Sequence, residues 1–472
     1  MATSSQAIFG SQARTHEGFL LLSMCASTFW LAQEMADTGI AIVSCLILVL
    51  SWALVRRSCY FFHLRRMTIT GFWYFSYLAM IFFPAFVVYS DQEGPYRGPY
   101  LFAVESVLIT VPLGWWLASA CSGFRVEEID LFFEQPVERV TADSRLLGRC
   151  WVLLGICFVL TVAYMFDVET IPLFYLLRNP GAFMEAALLR EEAFKLLNSP
   201  LTYFYYITRG LLYPLIILVA LGSYLGSRQR KWLIAFLVAA GGGLFFAALS
   251  VAKSPVAVVV LLVGILLYLL KQGRMNRKAI AIILILVLLF PLGVIVYGYA
   301  GDSIGLAVVM VGVGRRLFYL PAEIVYYYFE YFPDQVHYLH GRSIDKFAHA
   351  IGATPFDTTN AVGVYAYPRG LESVSANGAF IADLNADFGM WGVLMGGILA
   401  GVIMQSVQIF LLRRRKTVVT LACFSFLMVA FWFLQSTSLP VVLASDGVIL
   451  SLLIAWYLER SPRPQRSPEV AA

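Results

Sequence analysis

Two stretches of this chain gather side chains able to hold an anion beside a polar ring. One reads Gly312-Val313-Gly314-Arg315-Arg316, continues Leu317-Phe318-Tyr319-Leu320-Pro321-Ala322-Glu323, and adds Tyr326-Tyr327-Tyr328-Phe329-Glu330. On a single α-helix Arg316, Tyr319, Glu323, Tyr327 and Glu330 share one face, unless Pro321 starts a new helix and loosens the alignment. A guanidinium suits phosphate, because its planar fork donates two parallel charge-assisted hydrogen bonds. Tyrosine faces suit sugar rings, although tyrosine also decorates any membrane interface. The other stretch is bracketed by Asn179-Pro180-Gly181 and Asn198-Ser199-Pro200. These are a cap with an early proline and a stop, and they predict a short amphipathic helix over 182–197. Phe183, Ala187, Arg190 and Phe194 share a face there, so Arg190 either projects among aromatic rings or snorkels, and the same two readings hold for Arg178; Glu191 and Lys195 pair at i,i+4 on another face.

Further candidates follow in His337, His340-Gly341-Arg342-Ser343, His349, Asp357 and Tyr365-Ala366-Tyr367-Pro368-Arg369. His337 and His340 stand three apart, but there is no His-Glu-x-x-His and no Cys/His array, so no metal and no cofactor is expected. A histidine or an acid here is better read as a proton acceptor. Lys253 lies in the turn Val251-Ala252-Lys253-Ser254-Pro255, and Arg209 and Glu105 lie inside apolar helices. Charge at that depth is costly and marks a functional candidate, or it snorkels to the surface. Asp383 and Asp387 are i,i+4 at the start of a span, placed either for catalysis or to complement the positive helix end.

The elements that must position these residues are membrane helices. The chain has 472 residues, 60% of them hydrophobic and 13% charged, with a mean hydropathy of +0.76; a soluble domain carries about 25% charged residues. Apolar windows predict an all-α polytopic membrane protein with twelve spans (range 11–14) near 18–35, 39–55, 69–89, 100–120, 150–166, 203–226, 232–250, 255–270, 279–298, 387–412, 417–435 and 440–458. Alternate connections and the two ends hold 23 of the 34 basic residues, which predicts that this side, with both termini, is cytoplasmic. The chain then divides into helices 1–5 (1–166), a long outward segment (167–202), helices 6–9 (203–298), a second long outward segment (299–386), and helices 10–12 with a tail (387–472). Neither long segment contains a cysteine, so neither carries a disulfide. The net charge of +5 is dispersed, which excludes a nucleic-acid partner.

In architecture, and in three local pieces, the chain resembles the Wzy-type O-antigen and exopolysaccharide polymerases. The pieces are the Lys253-Ser254-Pro255 turn, the run from Arg315-Arg316 through Pro321 to His340-Gly341-Arg342-Ser343, and Asn385-Ala386-Asp387-Phe388-Gly389-Met390-Trp391-Gly392 entering a Gly-rich span. The resemblance implies a GT-C-like glycosyltransferase of the bacterial inner membrane. It would join undecaprenyl diphosphate-linked oligosaccharide repeat units on the periplasmic side, without metal and with inversion, among membrane lipids and beside a polysaccharide chain-length regulator. In that reading Arg316 and Arg190, with Arg315 and Lys253, stabilise the leaving diphosphate. Glu323, His337 or Asp383 takes the acceptor proton, and Arg178, Arg209, Tyr319, Tyr327 and Arg342 orient the two long substrates. An O-antigen ligase-type transferase and a lipid-linked oligosaccharide flippase stand as alternatives. The first lacks its expected His-Asn-x-x-Leu here, and the second would show repeated halves and a midplane site.

Overall fold

A computed structural model describes residues 2–60, 66–138, 144–179, 185, 186, 189, 201–249, 251, 254–274, 278, 281, 285, 311–367 and 375–460. Among the described residues the regular structure is entirely helical. The helices are α1 (Ala2–Met35), α2 (Thr38–Val55), α3 (Ile69–Asp91), α4 (Arg97–Ser122), α5 (Glu127–Glu134), α6 (Ser144–Asp167), α7 (Pro172–Arg178), α8 (Thr202–Ser227), α9 (Arg230–Leu249) and α10 (Ser254–Leu270). They continue with α11 (311–331), α12 (Asp345–Ala350), α13 (Thr358–Ala366), α14 (Phe380–Leu412), α15 (Val418–Gln435) and α16 (Leu439–Glu459). Nine helices among the described residues are long and apolar enough to cross a membrane: α2, α3, α4, α6, α8, α9, α14, α15 and α16. Of the three remaining expected spans, 18–35 falls inside α1, 255–270 is the shorter apolar α10, and 279–298 lies outside the described residues apart from 281 and 285.

Local chemistry sets the helix ends. Asp37, Thr68 and Thr417 each turn a side-chain oxygen onto a backbone N–H of the following first turn, and Gly123 closes α4 in the left-handed conformation. Among the described residues three helices contain a π-helical turn: Leu78–Phe82 in α3, Thr208–Leu212 in α8 and Arg315–Tyr319 in α11. Each turn ends two residues before a proline, respectively Pro84, Pro214 and Pro321. A proline inside a helix lacks an N–H and crowds the carbonyl four residues back. Widening the preceding turn relieves that crowding and lets the helix continue. Pro321 therefore does not begin a separate helix, but it changes the register upstream of it.

Helix α14 begins at Phe380, ahead of the expected 387, because Phe380, Ile381 and Ala382 are fully buried and extend its apolar face. Gly389, at φ 62° and ψ −155°, then breaks the helical path, a conformation open to glycine alone. Further along, α14 meets α4 through glycines: Gly114 and Gly401 approach so closely that a Cβ on Gly114 would lie 2.9 Å from the Gly401 Cα. Close backbone approach of this kind is how membrane helices gain packing without a hydrophobic drive between them. Glu105 does not snorkel. It is buried against α2 and accepts a hydrogen bond from the Ser44 hydroxyl.

The end of the bundle holding the basic connections is braced by α5. Arg66 bonds Asp130 at 2.7 Å, and Arg413 bonds Glu128 at 2.8 Å. The Lys416 ammonium, 3% exposed, donates to the carbonyls of Phe132 (2.8 Å), Phe133 (3.1 Å) and Gln135 (2.9 Å) at the C-terminus of α5, where cations are favoured. Lys416→Met keeps the stem but strands those carbonyls, and is expected to lower stability by about 2–3 kcal/mol. Thermal unfolding of the detergent-purified protein measures this, and an unchanged midpoint would refute the bracing role.

Candidate functional site

The opposite end gathers the residues singled out for chemistry. Helix α11 packs against the ends of α3 and α4 that face it and against the start of α14. Its Ile324 and Tyr328 turn toward Gly378 just ahead of α14, while Glu323 and Tyr327 turn the other way, toward Tyr367 after α13. Glu323 is 4% exposed. Arg315 donates to its Oε1 at 3.3 Å and the Tyr367 hydroxyl to its Oε2 at 3.0 Å. Burial first, and then the Glu323 carboxylate, push the Tyr367 hydroxyl well above its ordinary pKa, so it remains a donor at neutral pH.

Arg315, not Arg316, stands over Glu323, which corrects the face expected from a plain helix. Seven residues make about two α-helical turns, so an uninterrupted helix aligns Arg316 with Glu323. The π turn over Arg315–Tyr319 absorbs one extra residue and brings Arg315 into that position. Arg315 also lies over the Tyr319 ring at 5.3 Å, and the Tyr319 hydroxyl donates to Asp91 Oδ2 at 2.8 Å. Arg316 is exposed and makes no hydrogen bond or ion pair to any described residue.

A second cluster joins two of the motifs. Asp387 Oδ1 accepts the backbone N–H groups of Gly341 (2.9 Å) and Ser343 (3.3 Å), and its Oδ2 accepts the Ser343 hydroxyl. The N–H of His340 donates to the Asp387 carbonyl at 2.9 Å, and that of Leu339 to the Ala386 carbonyl at 2.9 Å. Five bonds therefore fasten 339–343 onto the first turns of α14. Among them His340 holds the left-handed conformation, at φ 53°. Arg342 spends its Nε on the Thr354 carbonyl at 3.0 Å. Asp383 points elsewhere than Asp387 and accepts the Thr358 hydroxyl at 3.0 Å. Asp387→Ala is expected to loosen 339–343 by about 3 kcal/mol. Limited proteolysis reads this as faster cleavage there, and unchanged protection would contradict the stapling role.

Of the remaining candidates, His337 is exposed between Asp334 and the 339–343 turn, and Arg178 is exposed at the end of α7. Arg209 sits in the π turn of α8 over the Tyr206 ring at 5.6 Å, among helices that do not carry Glu323. Arg190 and Lys253 lie outside the described residues, as does most of the helix expected over 182–197. Tyr365, Tyr367, Asp91 and Thr358 join the clusters without having been assigned a role by sequence. The signal for the first two was present in Tyr365-Ala366-Tyr367, whose spacing follows a tyrosine-rich helix. Among the described residues no group of three or more His, Cys, Asp or Glu side chains is arranged to hold a metal ion. Compared with known proteins, the chain matches no family model, no curated protein and no solved structure.

Proposed function

We propose that this chain is a glycosyltransferase of the bacterial cytoplasmic membrane that polymerises undecaprenyl diphosphate-linked oligosaccharide repeat units on the periplasmic side. The observation that carries the reading is the Arg315–Glu323–Tyr367 constellation beside Arg316, which has no bonded partner among the described residues, in a bundle whose basic connections lie at the other end. In the proposed step the hydroxyl oxygen of the acceptor sugar bonds to the donor's anomeric carbon as the bond from that carbon to the lipid diphosphate breaks. The electron pair leaves with the diphosphate, whose growing charge Arg316 stabilises. The hydroxyl proton passes to Glu323, whose two oxygens Arg315 and Tyr367 fix in direction. A single displacement inverts the anomeric centre.

The test is polymer formation by the purified protein in nanodiscs, supplied with lipid diphosphate-linked repeat units and EDTA. Ladders of growing glycan that persist in EDTA are expected, since a guanidinium supplies the charge a divalent ion would otherwise bring. No elongation, together with lipid-linked substrate crossing a proteoliposome membrane, would replace this reading by a flippase. Transfer of a single finished glycan to a lipid acceptor, without ladders, would replace it by a ligase. Tyr367→Phe is expected to lower the rate about tenfold through a less well-held Glu323; an unchanged rate would remove Tyr367 from the site.

A further inference from the structure

Around Glu323, tyrosine hydroxyls rather than cations hold the carboxylates. Tyr319 donates to Asp91, Tyr367 to Glu323 and Tyr96 to Asp334. Among the described residues of this lattice the one ion pair is Arg315 with Glu323. Tyr319, Tyr327, Tyr331, Tyr365 and Tyr367 are each partly exposed around these acids. Tyr327 and Tyr367 meet edge to face at 5.9 Å, and Tyr331 and Tyr365 at 5.3 Å. Behind them Tyr100 meets the Tyr326 ring at 5.6 Å, and its hydroxyl is fully buried with no hydrogen-bond partner among the described residues. A buried hydroxyl left unpaired is costly unless something else satisfies it.

This surface has a definite chemical preference. The negative face of an aromatic ring attracts the weakly positive C–H face of a pyranose. A carboxylate offers about four lone-pair sites, so one bonded to a single tyrosine still accepts hydrogen bonds from sugar hydroxyls. Of these acids Glu323 is neutralised by Arg315, but Asp91, Glu330 and Asp334 form no ion pair among the described residues and repel a sugar that carries a carboxylate of its own. We propose that the lattice is a saccharide subsite selective for neutral or amino-bearing sugars over uronic acids. The proposal deepens the polymerase reading, on which it rests for the source of the glycan.

The test measures binding, so that it stands or falls apart from turnover. The full chain in nanodiscs is titrated with maltotetraose, chitotetraose and tetragalacturonate, with saturation-transfer NMR as readout. At least one of the first two is expected to bind ten or more times more tightly than tetragalacturonate at low ionic strength, with the gap shrinking as salt is added. Tyr327→Ala is expected to abolish binding and Tyr327→Phe, which keeps the ring, to restore it; Glu330→Gln should narrow the gap. Equal or tighter binding of tetragalacturonate, or no binding of any of the three, overturns the proposal. A chain that binds the neutral probes yet builds no polymer would refute the polymerase reading and leave the subsite standing. One that polymerises uronic-acid repeats while ignoring the neutral probes would do the reverse.

Discussion

Arg316→Ala is expected to cut polymer formation by about 100- to 1,000-fold at saturating donor, the usual loss when one preorganised donor to a developing negative charge is removed. The physical ground is that Arg316 is exposed and bonded to no described residue, so its removal breaks no hydrogen bond or ion pair among them. Arg315 differs, being committed to the buried Glu323 at 3.3 Å, and Arg315→Ala should disturb the position of that carboxylate as well as the local charge. Arg316→Lys keeps a positive charge without the planar fork, and should fall between wild type and alanine. Turnover is measured in EDTA, with elution profile and melting point confirming that each variant is folded. Activity of Arg316→Ala within twofold of wild type would remove it from the diphosphate.

What the sequence made legible follows from the solvent. In a bilayer each backbone polar group must be satisfied within its own segment, so spans announce themselves as apolar windows, and nine of the expected ones coincide with long apolar helices. The concentration of tyrosine, arginine and acid between 311 and 387 was also readable, and in the fold Arg315, Glu323 and Tyr367 meet there. Register was not. The one-residue shift from Arg316 to Arg315 comes from a π turn, and its signal is Pro321, whose equivalents Pro84 and Pro214 follow π turns in the same way. Nor was the pairing of Asp387 with Gly341 and Ser343, because residues so far apart in sequence meet only through the packing of α11 on α14. Helical spacing placed Asp383 and Asp387 on one face, whereas one serves Thr358 and the other the 339–343 turn. Glu105 was read as near enough to the surface to snorkel, but its partner Ser44 lies on a neighbouring helix that hydropathy alone cannot orient.

The packing that holds this site in place yields the largest expected effect on folding. Helix α14 carries Asp383 and Asp387 in its first turns and is then seated on α4 through Gly397 and Gly401 opposite Thr110, Val111 and Gly114. A Cβ on Gly401 would collide with the Val111 carbonyl, and one on Gly114 would meet the backbone nitrogen of Val402 at 2.8 Å. Backbone atoms cannot rotate aside as a flexible side chain would, so the two helices must separate. Gly401→Ala is expected to cost about 3 kcal/mol, at the upper end of the ordinary cost of overpacking, and Gly401→Leu to leave no folded protein in detergent. Gly155 supplies the contrast, since a Cβ there meets nothing within 4 Å. Gly155→Ala should therefore be neutral or stabilise by roughly 0.5–1 kcal/mol through helix propensity. Melting temperature and size-exclusion profile separate the two outcomes. If Gly401→Ala melts with the wild type, α14 is not held by backbone contact with α4, and the seating of Asp387 beneath the 339–343 turn needs another source. If it melts early while the Asp387-dependent protection of 339–343 is lost with it, fold and site share this one glycine-lined contact.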